Sequence, residues 1–85
     1  MNIELARVVA ARHLGGHRIW LCFEDGLEGE LELRDALRGP IFEPLVDAGF
    51  FGSFVHDGLS LTWPNGASLA PEFLYRRLLE ARRSA

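Results

Sequence analysis

The 85-residue chain predicts an α+β fold: a small antiparallel or mixed β-sheet of hairpins, one or two short helical segments in the middle, and a C-terminal α-helix. Three observations carry that expectation. Apolar residues recur at every second position on both sides of Asp25-Gly26 and again after Asp57-Gly58, the pattern of strands with one buried face joined by tight turns. Gly39-Pro40 and Pro44 cut the middle of the chain into pieces too short for a long helix. The last segment, "PEFLYRRLLEARR", is a run of good helix formers opened by a proline.

Residues 5–13, "LARVVAARH", read as the first strand, ended by Leu14-Gly15-Gly16. "HRIWLCFE" follows, with Ile19, Leu21 and Phe23 in one phase and Trp20 and Cys22 in the other. Asp25-Gly26 signals a type I′ hairpin turn, in which both central residues take positive φ. The return strand, "LEGELEL", sets Leu27, Leu31 and Leu33 against Glu28, Glu30 and Glu32, so the three glutamates share the water side of the sheet. "RDALRGP" allows one helical turn, and "IFEPLVDAGFF" a short helix or 3₁₀ turn in which Pro44 fits only the first turn. "SFVHD", Asp57-Gly58 and "LSLTW" form a second hairpin with Leu59, Leu61 and Trp63 inward and Ser60 and Thr62 outward. Pro64, Asn65 and Gly66 supply the next turn. Pro71 starts the final helix and Glu72 suits the positive end of its dipole. Phe73, Leu74, Arg77, Leu78 and Ala81 fall on one mainly apolar stripe, and Arg82 and Arg83 suit the C-terminal end.

Length and composition confine the function. Residues 1–85 amount to one domain with a modest core. A net charge of −3 offers no global attraction to nucleic acid or to acidic membranes. No apolar run approaches a membrane span of ~20 residues, and "MNIELARVV" lacks the order of a signal peptide. A single cysteine, Cys22, excludes an internal disulfide and fits a reducing compartment, so a cytoplasmic protein is expected. All nine basic residues are arginine, a bias that fits GC-rich coding first and bidentate carboxylate or phosphate recognition second.

No residue set predicts catalysis, a metal or a cofactor. His13 and His17 flank "LGG", but two glycines favour a hairpin over the helix that would align a zinc pair, and no Cys or carboxylate is close in sequence. His56 and Asp57 are neighbours on a strand and point to opposite faces. Cys22 has no adjacent His or Lys to activate it and reads as a buried, inert thiol.

What remains are surfaces. Glu24 to Asp35 hold six carboxylates and one Arg: a solvated face, a docking surface for a basic partner, or the counterpart of the chain's own Arg-bearing helix. Trp20 stands out of phase with the core set, so it is either a contact anchor on the far side of the sheet or covered by the C-terminal helix. Arg76 and Arg77 invite nucleic-acid binding, against the negative net charge and without a recognition motif. The expected partner is therefore a protein or a second copy, bound through Trp20, Glu28, Glu30 and Glu32. Nucleic acid on Arg76 and Arg77 is the alternative, and no membrane is expected.

"CFEDG" after an alternating strand, "FF" before a strand, and above all "LTWPNGASLAPEFLY" (residues 61–75) resemble the small bacterial family called domain of unknown function 2442. The resemblance runs from about residue 5 to residue 78 and departs at Ser68, where the pattern leads to an acidic residue. It implies an α+β fold with an antiparallel sheet and a C-terminal helix. It also implies a setting among small regulatory, antitoxin-like pairs or proteins fused to a helix-turn-helix domain, which this chain is too short to include. No established activity, and so no functional residue, comes with it.

Overall fold

The computed structural model describes residues 7–56, 58 and 60–84. Six strands form two three-stranded antiparallel sheets rather than one. The first orders β1 (Val8–Gly15), β2 (Arg18–Phe23) and β3 (Glu28–Glu32); the second orders β4 (Val55–His56), β5 (Leu61–Thr62) and β6 (Ser68–Leu69). Between the sheets lie 3₁₀ segments Arg34–Ala36 and Pro40–Val46 and the single turn α1 (Ala48–Phe51). The chain closes with α2 (Pro71–Ser84).

Alternation in the first sheet follows the sequence. Val8, Ile19, Leu21, Phe23, Leu31 and Leu33 are buried, while Glu28, Glu30 and Glu32 are exposed. The helix lies on the inner side, where a Cβ built at Gly29 would come within 2.9 Å of Leu78 Cδ1. One apolar cluster joins both sheets, Leu45, Phe51 and the helix residues Leu74, Tyr75 and Leu78.

The Asp25-Gly26 turn is not type I′, because Gly26 alone has positive φ, at 94°. Gly26 N–H donates to the Phe23 carbonyl at 2.9 Å, Phe23 N–H donates to the Leu27 carbonyl at 2.8 Å, and Asp25 Oδ1 accepts from Leu27 N–H at 3.0 Å. These bonds define a three-residue loop, a type I turn followed by a glycine bulge, which relieves Asp25 of any left-handed conformation. Trp63–Ala67 repeats it: Gly66 to Trp63 and Trp63 to Ala67 each at 2.9 Å, Asn65 Oδ1 accepting from Ala67 N–H at 3.2 Å, and Gly66 at φ 91°.

Other expectations are corrected. The first strand extends to Gly15 and its loop is two residues long. The middle holds three helical pieces, not one or two. Pro44 lies inside a 3₁₀ run, tolerated because the Ile41 carbonyl that an N–H at position 44 would reach accepts from Asn65 Nδ2 at 2.8 Å instead. Ser60 is buried rather than outward, its hydroxyl donating to the Leu69 carbonyl. "ASLA" contributes β6, since the bulged turn folds it back along β5. The buried stripe of α2 is Leu74, Tyr75 and Leu78; Phe73 and Arg77 are half-buried and Ala81 is exposed, because the helix meets the sheet through the side carrying Tyr75. Asp57, Leu59 and the side chain of Arg83 lie outside the described residues.

Candidate functional site: the open face of the first sheet

Strand register decides what the outer face of the first sheet carries. Arg12 pairs with Trp20 and Trp20 with Glu30, so these three form one row across β1, β2 and β3. The row on one side is Ala10, Cys22 and Glu28; on the other, Arg18 stands opposite Glu32. The face is open: Arg12, Leu14, Arg18 and the three glutamates are exposed, and Trp20 and Cys22 are half-buried.

Trp20 therefore stands on the side of the sheet away from α2, and the C-terminal helix does not cover it. Its ring lies 5.9 Å from the Arg12 guanidinium, within cation–π range. Arg12, Leu14, Trp20 and Glu30 line a shallow depression of about 210 Å³. Arg18 donates to Glu30 at 3.0 Å, an exposed pair that positions the carboxylate without adding much stability. Cys22 is half-buried on this face instead of buried, its thiol directed to the Phe23 carbonyl at 3.6 Å. Arg12 and Leu14 escaped the sequence reading. Their membership of the face follows from the β1–β2 register, which the sequence pattern of β1 does not reveal.

Arg77 is committed elsewhere. It bonds Asp35 at 2.7 Å and the Glu32 carbonyl at 3.3 Å, and lies 5.7 Å from the Phe73 ring. The Arg77 hydrogen bond holds the Asp35 carboxyl below its ordinary value. An open groove of about 460 Å³ beside it includes Arg18, Glu32, Asp35, Arg77 and Glu80 in its lining. Carboxylates outnumber guanidinium groups in that lining, and the exposed Arg76 lies outside it. Of the acidic segment, Arg77 thus takes the Asp35 carboxylate and the Glu32 carbonyl; Glu30 bonds Arg18, and the side chains of Glu28, Glu30 and Glu32 are exposed.

The histidines join elements together. The His13 and His17 rings lie 5.8 and 5.0 Å from the Phe51 ring, and His17 Nε2 donates to the Leu45 carbonyl at 2.9 Å. His56 Nε2 donates to the Val8 carbonyl, linking β4 to β1. Among the described residues, no group of three or more His, Cys, Asp or Glu is placed to hold a metal ion. No helix among them is long and apolar enough to cross a membrane.

Tyr75 was also missed as a structural link. Its hydroxyl donates to Asp25 Oδ2 at 2.5 Å, tying α2 to the first bulged turn. Burial, then the bond to Asp25, push the phenol up to about 12. The same bond, with that from Leu27 N–H, holds Asp25 below the usual carboxylate value. A lone "DG" and "LY" fifty positions apart offered no pairing signal.

Two of the three stretches that carried the family resemblance thus hold the bulged turns, the second running on into the helix that the first turn holds; the third, Phe50-Phe51, lies in α1. No curated protein and no solved structure matches the chain. A family model described as "Protein of unknown function (DUF2442)" matches residues 8–80, nearly the whole chain, and the protein belongs to that family.

Proposed function

We propose that the protein is a non-enzymatic interaction module that binds a protein through the outer face of its first sheet, as one member of a small regulatory assembly. The observation that carries this reading is the Arg12–Trp20–Glu30 row. An indole and the neighbouring Leu14 stay accessible on one side of a sheet whose other side already holds the core. Trp and Arg are the residue types that dominate binding energy when they seat in a partner's pocket. Glu28, Glu30 and Glu32 beside them form the polar rim that orients an encounter. The Arg77–Asp35 bond and the acidic lining of the adjacent groove give no support to the nucleic-acid alternative.

Cys22, the single cysteine, shares the face and reports its coverage. Alkylation of Cys22 is expected to slow several-fold in fresh extract of the producing cells relative to heat-treated extract, and Trp20→Ser should abolish the slowing. Equal rates in the two extracts, together with a purified chain that does not self-associate, would remove this reading.

A further inference from the structure

We infer that the occupant of this face is a second copy of the chain, related by a two-fold axis that runs along the strands of the first sheet. This deepens the interaction reading above and rests on it. The inference comes from how charge is distributed over the face. Looking across the strands, cations stand on β1 and at one end of β2 (Arg12, Arg18), Trp20 is central, and anions alone occupy β3 (Glu28, Glu30, Glu32).

Two identical sheets stacked face to face by a two-fold parallel to their strands set β1 over the partner's β3 and β2 over its own counterpart. Arg12 then meets the partner's Glu30, Glu30 meets the partner's Arg12, and the two Trp20 rings meet on the axis. An axis across the strands gives the opposite result, laying each glutamate column over its copy. Only the first arrangement makes the central row self-complementary, the requirement of an isologous contact, while Glu28 comes to lie over the partner's Ala10. Its rows also set Cys22 facing Cys22. Arg18 approaches its counterpart at the edge of the contact, where its guanidinium is already drawn to Glu30 at 3.0 Å. Aligned sheets cross at about 30°, which separates the end rows more than the central one.

The area sets the strength. Three strands ~4.8 Å apart and about six residues long present roughly 14 × 20 Å, well under the ~800 Å² per partner of a standard interface. The dimer is therefore concentration-dependent and exchanging rather than permanent.

Sedimentation velocity of the full chain over a concentration series tests the inference, with Arg12→Glu and Glu30→Arg run separately and as an equimolar mixture. The wild type should pass from monomer to dimer. Each variant alone sets like charges across both ends of the central row and should lose at least ten-fold in association constant. The mixture restores opposite charges at both ends and should recover the dimer, which an unfolded variant cannot do. A bismaleimide linker should join wild-type chains through Cys22, and do so less in either single variant. A wild type that stays monomeric to millimolar concentration overturns the inference, as do variants that dimerise undiminished or a mixture that fails to recover. Monomeric wild type with Cys22 still shielded in extract would remove the second copy and leave the interaction reading intact. Monomeric wild type with Cys22 unshielded would remove both.

Discussion

The turns Phe23–Leu27 and Trp63–Ala67 have the same backbone bonding, the same buried aromatic at the first position and a glycine with φ near 90° at the fourth. Their residues share only that glycine, and the difference that sets what each turn anchors is at the third position. Asp25 keeps one oxygen for Leu27 N–H and offers the other to the Tyr75 hydroxyl; Asn65 uses its oxygen for Ala67 N–H and offers its amide to the Ile41 carbonyl at 2.8 Å. A hydroxyl donor calls for a carboxylate and a carbonyl acceptor calls for an amide. One turn design thus serves as two anchoring posts, and the partner's chemistry selects Asp for one and Asn for the other.

The largest effect that probes this equivalence is loss of the first-position aromatic. Phe23→Ala and Trp63→Ala should each cost about 3–5 kcal/mol in urea unfolding. Trp63→Ala should be the more severe, because it also strands the Phe51 carbonyl that accepts from Nε1 at 2.8 Å. Next come Gly26→Ala and Gly66→Ala. Neither meets an atom within 4 Å, so each should cost only the ~1–2 kcal/mol of left-handed backbone. A difference between them well beyond ~1 kcal/mol would break the equivalence.

Exchanging the third residues should be unequal. Asn65→Asp turns a donor into an acceptor facing the Ile41 carbonyl and should cost about 1–3 kcal/mol. Asp25→Asn keeps its one oxygen for Leu27 N–H and sets its amide against the Tyr75 hydroxyl, whose oxygen can accept, so it should cost less. It should also move the Tyr75 titration down toward 10, read from absorbance because the chain has one tyrosine. In the wild type the phenol should titrate near 12 when folded. Its raised value means that the native state favours the neutral phenol. The associated stability is complete below pH 10 and falls as pH rises from there toward 12. Asp25 runs the other way: its lowered value stabilises the fold above the ordinary carboxylate range, and that contribution is lost as pH falls through the folded value. Urea midpoints across pH, for wild type and Tyr75→Phe, should differ least at neutral pH in slope and most at alkaline pH.

The first sheet was legible because its strands are long enough to show period two, and because one face is solvated, which forces Leu and Glu apart. Family membership was legible too, since its motifs are the turns and the helix start. The second sheet was harder to read. Its strands are two residues each, too short for a period, and a buried hydroxyl at Ser60 interrupts the alternation although Leu61 and Trp63 are inward as expected. At the open face, Trp20 and the three glutamates were foreseen from phase alone. Arg12 and Leu14 needed the cross-strand register, and the diversion of Arg77 to Asp35 depended on where α2 lands. None of these is encoded within a local window.

Gly29 has a wider consequence. Because Leu78 comes to rest where any side chain at that position would begin, the helix is keyed into the strand like a peg in a socket. Drift in the mature chain at position 29 is confined to the smallest residue unless Leu78 shrinks in step. The two sites should therefore evolve as a pair, on the side of the sheet that no visitor touches.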